Sequence, residues 1–182
     1  MPKTPCTLFS AVLFLLPLLG AAAQPLTPTD LRCEDFVDPL GLDVARPRLS
    51  WILTSAGESR NRSQTAYRIL VANTPAALAA DRGDLWDSGE VASDDTTHIN
   101  YAGVPLASRQ PCFWKVAAWD EHHQRSPWSE VASWDMGLLQ PQDWPGSWIG
   151  LQAPTPAADA APNPAPCLRR DFELRPGVQR AR

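Results

Sequence analysis

Eight tryptophans, four cysteines, three histidines and twenty acidic residues are the side chains with which this 182-residue chain could do chemistry. General acid–base work takes two carboxyls held across a cleft. Asp94-Asp95 and Glu34-Asp35 are adjacent pairs, and neighbours on a strand point to opposite faces. Asp87 and Glu90 sit near a turn. All six have the character of solvated turn acids. His122 and His123 are neighbours in a polar loop, Glu121 to Ser126, and with scattered cysteines they match no zinc spacing. No Gly-x-Ser-x-Gly elbow and no phosphate-binding glycine loop occurs, and Cys112 opens a strand without a base partner. No catalytic residue, metal ligand or cofactor site follows from these patterns.

Tryptophan is the stronger signal, because an indole offers an apolar plate either to a sugar ring or to a neighbouring protein surface. Trp51 and Trp114 fall at inward strand positions and belong to the core. Trp86, Trp119, Trp128 and Trp134 can face outward, and Trp144 and Trp148 lie beyond the last strand. Phe113, Trp119, Trp134 and Trp148 are the candidates for domain packing or sugar stacking. Packing carries more weight, since contacts between domains also favour large aromatics.

The elements that must position these residues begin after a leader. One lysine, an apolar run from Leu8 to Leu19 and small residues at Ala21–Ala23 have the order of a secretory signal peptide, cleaved between Ala23 and Gln24. Pro17 interrupts the run, which is too short for a membrane span of roughly 20 residues. The expectation is an exported chain, periplasmic or extracellular, with no membrane segment once the signal is removed. A net charge of −4 argues against nucleic acid as a partner. With Cys6 in the signal, Cys33, Cys112 and Cys167 remain, an odd number. Cys33 and Cys112 are the conceivable disulfide, both on strands of one domain, and buried free thiols are the alternative with slightly more weight.

Short β-branched and aromatic runs separated by Pro, Gly, Asn and Asp mark an all-β domain. The expected strands are 30–36, 48–54, 66–73, 85–91, 97–101, 112–120 and 128–136, and seven strands suit an immunoglobulin or fibronectin type III-like sandwich. Alternation along 112–119 turns Cys112, Trp114, Val116 and Ala118 inward. It turns Phe113, Lys115, Ala117 and Trp119 outward, onto a surface suited to cover by another domain. Thr74 followed by Pro75 starts one or two helical turns. The expected organisation is a signal at 1–23, the sandwich at 28–137, an exit segment at 138–151, a Pro/Ala-rich linker at 152–166, and at 167–182 the first strand of a truncated second β-rich domain. A lone strand at 167–174 cannot fold by itself, so Arg182 is expected to be a truncation point in a longer parent.

The order and spacing of several strings resemble the N-terminal region of bacterial α-L-rhamnosidases, which are glycoside hydrolases. They are Pro39-Leu40-Gly41-Leu42-Asp43, Pro47-Arg48-Leu49-Ser50-Trp51, Gln64 through Ala72, Leu85-Trp86-Asp87-Ser88-Gly89-Glu90-Val91, Phe113-Trp114-Lys115-Val116, Trp119-Asp120, Ser126-Pro127-Trp128-Ser129 and Trp144 through Gly150. The resemblance spans Leu31 to Gly150 and resumes at Leu168-Arg169-Arg170-Asp171-Phe172. It implies a fibronectin type III-like sandwich, then a β-rich domain able to contact carbohydrate, then an (α/α)6 barrel holding the catalytic carboxylates. The parent would hydrolyse terminal α-L-rhamnose with inversion, using an acid and a base about 6.5–9.5 Å apart. None of those catalytic positions matches a residue of this sequence. The implied partners are the downstream domains of the same polypeptide, with rhamnose-containing glycans reached only through the parent. An exported carbohydrate- or protein-binding module is the rival reading. One departure is Cys112, which stands where such sandwiches place a tyrosine that bonds back to the corner backbone, so either packing or a disulfide must compensate.

Overall fold

The structure is a computed structural model, and it describes residues 26–55, 62–150, 167–173 and 176–177. The expected signal peptide, with its expected cleavage between Ala23 and Gln24, and the expected linker at 152–166 lie outside the described residues. The chain divides into two compact units, Met1–Pro141 and Gln142–Arg182.

Among the described residues, eight strands and one α-helix build the first unit: β1 Leu26–Cys33, β2 Arg48–Ser55, β3 Gln64–Ala72, α1 Pro75–Ala79, β4 Trp86–Asp87, β5 Val91–Ala92, β6 Ile99–Asn100, β7 Pro111–Asp120 and β8 Ala132–Asp135. They form two antiparallel sheets. One has the order β1-β2-β6, and the other β4-β3-β7-β8 with β5 also paired to β3. The expected strand at 85–91 is divided into β4 and β5 by Ser88-Gly89-Glu90, where Gly89 adopts φ 62°. The expected strand at 128–136 shortens to Ala132–Asp135 for a different reason. The hydroxyls of Ser126 and Ser129 accept the amides of Ala118 and Val116 while their own amides donate to the carbonyls of those residues, so side chains supply half of the ladder beside the middle of β7. β1 begins four residues earlier than the expected 30–36 run and stops at Cys33, because Glu34 and Asp35 turn the chain with φ 49° and 65°. The predicted strand at 167–174 is absent from its described residues, 167–173, which form neither strand nor helix. A strand needs a partner ladder, and none is made there.

Between the sheets lies a core whose largest members are Trp51, Trp114, Trp134 and Tyr101. Burying each such ring is worth several kcal/mol, of order ~3 by area. Trp51 stacks edge-on against Tyr67, and Tyr101 does so against both Trp86 and Trp134. The Tyr101 hydroxyl, at the end of β6, is shared between the carbonyls of Val104 at 2.8 Å and Leu85 at 3.1 Å. This phenol thus ties down the corner before β7 from the residue that follows β6. Burial pushes its ionisation up to about 12, so it remains a donor at any ordinary pH.

A second, smaller cluster covers the outer face of β3 and β7. Thr74 caps α1 by accepting the Ala77 amide at 3.2 Å, Pro75 opens the helix, and Leu78 and Ala77 then pack on Leu70 and Ala72, flanked by Phe113 and Trp128. The outer face of β7 is therefore covered by the domain's own helix. Lys115 and Ala117, expected outward, are buried there.

Polar partners separate two core tryptophans. The Trp51 Nε1–H donates to Gln64 Oε1 at 3.1 Å, and the Gln64 amide donates onward to the carbonyls of Ser93 and Asp95. The Trp114 Nε1–H is buried without a protein partner. Trp51→Phe strands the Gln64 carbonyl, whereas Trp114→Phe strands nothing. Urea unfolding should show Trp51→Phe costing about 1–3 kcal/mol more than Trp114→Phe in its polar component. Equal losses would place the two indoles in equivalent environments and contradict this geometry.

Candidate functional site

Three of the six candidate carboxylates, Glu34, Asp87 and Asp95, are held by structural partners. Glu34 accepts Arg48 at 2.6 Å, and hydrogen bonds from that guanidinium hold its carboxyl below the ordinary range. Asp87 accepts Arg68 at 2.6 Å with the same consequence. Asp95 accepts the Ser93 hydroxyl at 2.9 Å. His122 lies 3.8 Å from Glu121 on the surface, and His123 turns the chain at φ 56°. Among the described residues no three His, Cys, Asp or Glu side chains converge in a way that could hold a metal. Cys33 and Cys112 are free, buried thiols inside the main core. Burial pushes both upward, Cys112 to about 12, so they stay protonated and unreactive.

Among the described residues, Asp120 is the most deeply buried acid. Its Oδ1 accepts the amides of His122 at 2.8 Å and Gln124 at 2.9 Å, and its Oδ2 accepts Arg62 at 2.7 Å. Burial raises this carboxyl, but the two amides and Arg62 outweigh it and the ionisation lies below the ordinary value. Arg62 also pairs with Glu121 at 2.8 Å. The cluster ties the start of β3 to the turn after β7 and is structural.

On the outer face of β7, cations and indoles alternate. The Arg125 guanidinium sits 4.4 Å from the Trp128 ring centre and 5.7 Å from that of Trp119, and Lys115 Nζ lies 4.7 Å from Trp128. Lys115 also donates to the Leu78 carbonyl and pairs with Asp81, joining β7 to the end of α1. Each cation–π contact adds about 0.5–1 kcal/mol. Arg125 was not recognised as a site residue in the sequence, and its spacing from Trp119 and Trp128 is the signal that would have found it.

The four aromatic candidates therefore part company. Phe113 is half-buried beside the α1 cluster. Trp119 is half-buried with Arg125 over its ring. Trp134, expected to be able to face outward, is only 1 % exposed and belongs to the core, so it can stack on neither a sugar nor a neighbouring domain. Trp148, in the second unit, is 97 % exposed. Two shallow grooves, of about 240 and 260 Å³, flank β1. Both fall short of the roughly 300–1,000 Å³ usual for a small-molecule site.

Two antiparallel sheets with these connections and an inter-sheet tryptophan core define an immunoglobulin-like sandwich. The Rha78A-like N-terminal immunoglobulin domain matches residues 28–140. The chain belongs to that family. It is 39 % identical over 162 residues to an α-L-rhamnosidase of Alteromonas sp. strain LOR, covering 85 % of this chain and 17 % of that protein. It is 45 % identical over 116 residues to the α-L-rhamnosidase of Streptomyces avermitilis, covering 64 % of this chain and 11 % of that one. The solved structure of α-L-rhamnosidase from Dictyoglumus thermophilum superposes with a TM-score of 0.65 at 37 % identity, over 68 % of this chain and 14 % of that one. The chain spans only 11–17 % of the length of the curated relatives it matches.

Proposed function

We propose that this chain is the non-catalytic N-terminal accessory domain of an exported α-L-rhamnosidase, bracing the larger remainder of that polypeptide. The observation that carries the reading is the family match over the whole sandwich, in relatives of which this region is a minor share. The parent then hydrolyses terminal α-L-rhamnose with inversion, through carboxylates outside this sequence. Export rests on the order of residues 1–24. No helix among the described residues is long and apolar enough to cross a membrane.

The test is direct. Purified Gln24–Arg182, incubated with an aryl α-L-rhamnoside, is expected to release no rhamnose above a buffer blank. Measurable turnover would refute the accessory reading.

One observation favours a second reading, a carbohydrate-binding module: Trp148 presents both ring faces to solvent. Retention of the chain on a rhamnose-containing polysaccharide column, abolished by Trp148→Ala, would support it. The accessory reading expects no retention.

A further inference from the structure

The connection from β1 to β2 holds large apolar side chains in solvent on a rigid backbone. Phe36, Val37 and Leu40 are 64 %, 61 % and 64 % exposed, and Val131 beside β8 is 49 % exposed. A mobile loop would bear such residues at little consequence, but this one is fastened. Phe36 exchanges both backbone hydrogen bonds with Cys33. Asp135 donates its amide to the Pro39 carbonyl and accepts the Leu42 amide, and Asp38 accepts the Ser133 amide at 2.7 Å. Leu42 bridges Met136 in parallel, so the loop extends the sheet beyond β8. Gly137 lies so close to the Gly41 carbonyl that a Cβ there would stand 2.8 Å from its oxygen. Glu34, Asp35 and Asp38 adopt left-handed φ of 49°, 65° and 45°, a conformation unfavourable to residues with a Cβ. Fixed, strained backbone that presents apolar side chains outward is the arrangement expected of a docking surface.

Val37 and Val131 line one groove of about 240 Å³ with Pro28 and Leu31, and its charged members, Asp30, Asp38 and Glu130, are all acidic. Arg32 answers Asp30 at 3.0 Å. A symmetric pairing of two copies through this face would set Asp38 and Glu130 of one against the same residues of the other, which charge opposes. A different surface is needed, one that offers apolar side chains flanked by lysine or arginine. Relatives carry more than four-fifths of their length outside the matched region, so such a surface is available within the same polypeptide, at the high effective concentration that tethering gives. We infer that the face formed by Phe36, Val37, Leu40 and Val131 is the surface on which the remainder of the parent polypeptide docks. This inference rests on the accessory-domain reading and adds which face makes the contact.

The test compares Val37→Lys/Leu40→Lys in the full-length parent, in the 182-residue chain, and beside a parent lacking residues 26–140. In the 182-residue chain the exposed substitutions should leave the melting midpoint unchanged. In the parent they should lower it by about 2–4 °C or more and speed thermal inactivation. If the deletion destabilises the parent and the double substitution does not, this face is not the docking surface, although bracing stands. If neither does, bracing itself fails. A wild-type 182-residue chain that sediments as a dimer, and as a monomer once substituted, would assign the face to a second copy and overturn the inference. Should the double variant itself melt early in the short chain, Phe36→Ser, which removes a ring at the edge of the same face, gives the same comparison.

Discussion

Replacing Asp120 with alanine is expected to cost the domain about 3–5 kcal/mol, seen as a lower urea midpoint at unchanged slope. The carboxylate is fully buried and accepts two backbone amides and the Arg62 guanidinium, whose side chain is itself nearly buried. Removing it leaves the amides of His122 and Gln124 without their acceptor, at about 1–3 kcal/mol each, and takes from the nearly buried Arg62 one of its two carboxylates, Glu121 remaining. Asp120→Asn keeps an oxygen for the amides and should lose less. The pH dependence has a definite sign. Because the folded carboxyl ionises below its ordinary value, the unfolded chain binds the proton more readily, and Asp120 contributes its full share above the ordinary carboxylate pKa of about 4. That share is lost as pH falls through the lower folded value. Glu34, Asp81, Asp87 and Glu121 shift in the same direction but lie nearer solvent, so their ion pairs contribute little. Asp120→Asn should therefore flatten most of the acid limb of stability against pH. A wild-type acid limb in that variant would mean that Asp120 is not the group that titrates.

Alternation along β7 was enough to place Cys112, Trp114 and Val116 in the core, and Thr74-Pro75 was enough to locate α1. Both signals are local. Where α1 docks is not local, since Leu78 reaches Lys115 across 37 positions of sequence, and this is why a face expected to await another domain proves to be closed by the chain itself. The Arg62–Asp120 pair spans 58 positions and has no motif. Trp134 was misplaced for a third reason. Trp128 and Trp134 differ by an even number of residues, so one regular strand puts them on the same face. The serine-bonded stretch at 126–131 breaks that regularity, leaving Trp128 with the outer cluster and Trp134 with the inner one. The loop at 36–44 escaped notice because exposed apolar residues in a turn-rich segment look ordinary until their backbone is seen to be fixed.

Trp134→Ala is the second large expected effect, about 3–5 kcal/mol, against a change within about 0.5 kcal/mol for Trp148→Ala. The Trp134 ring contacts Tyr101 edge-on with centres 6.1 Å apart, and its Nε1–H points at the Met136 sulfur at 3.3 Å. Loss of the ring opens a cavity between the sheets and frees Tyr101, whose hydroxyl holds the corner before β7. The near-ultraviolet dichroism of the folded protein should therefore change in Trp134→Ala and stay constant in Trp148→Ala. Urea midpoints of the two variants decide the matter, and a larger loss for Trp148 than for Trp134 would reverse the assignment of core and surface. The contrast bears on function as well as stability. An indole consumed by the core has no face left for a sugar or a neighbouring domain, so the contacts of this accessory domain must be made by the side chains its fold leaves outside. Among them are Trp148 in the second unit and, in the first, the apolar loop between β1 and β2, whose backbone is fastened by hydrogen bonds to Cys33, Ser133 and Asp135.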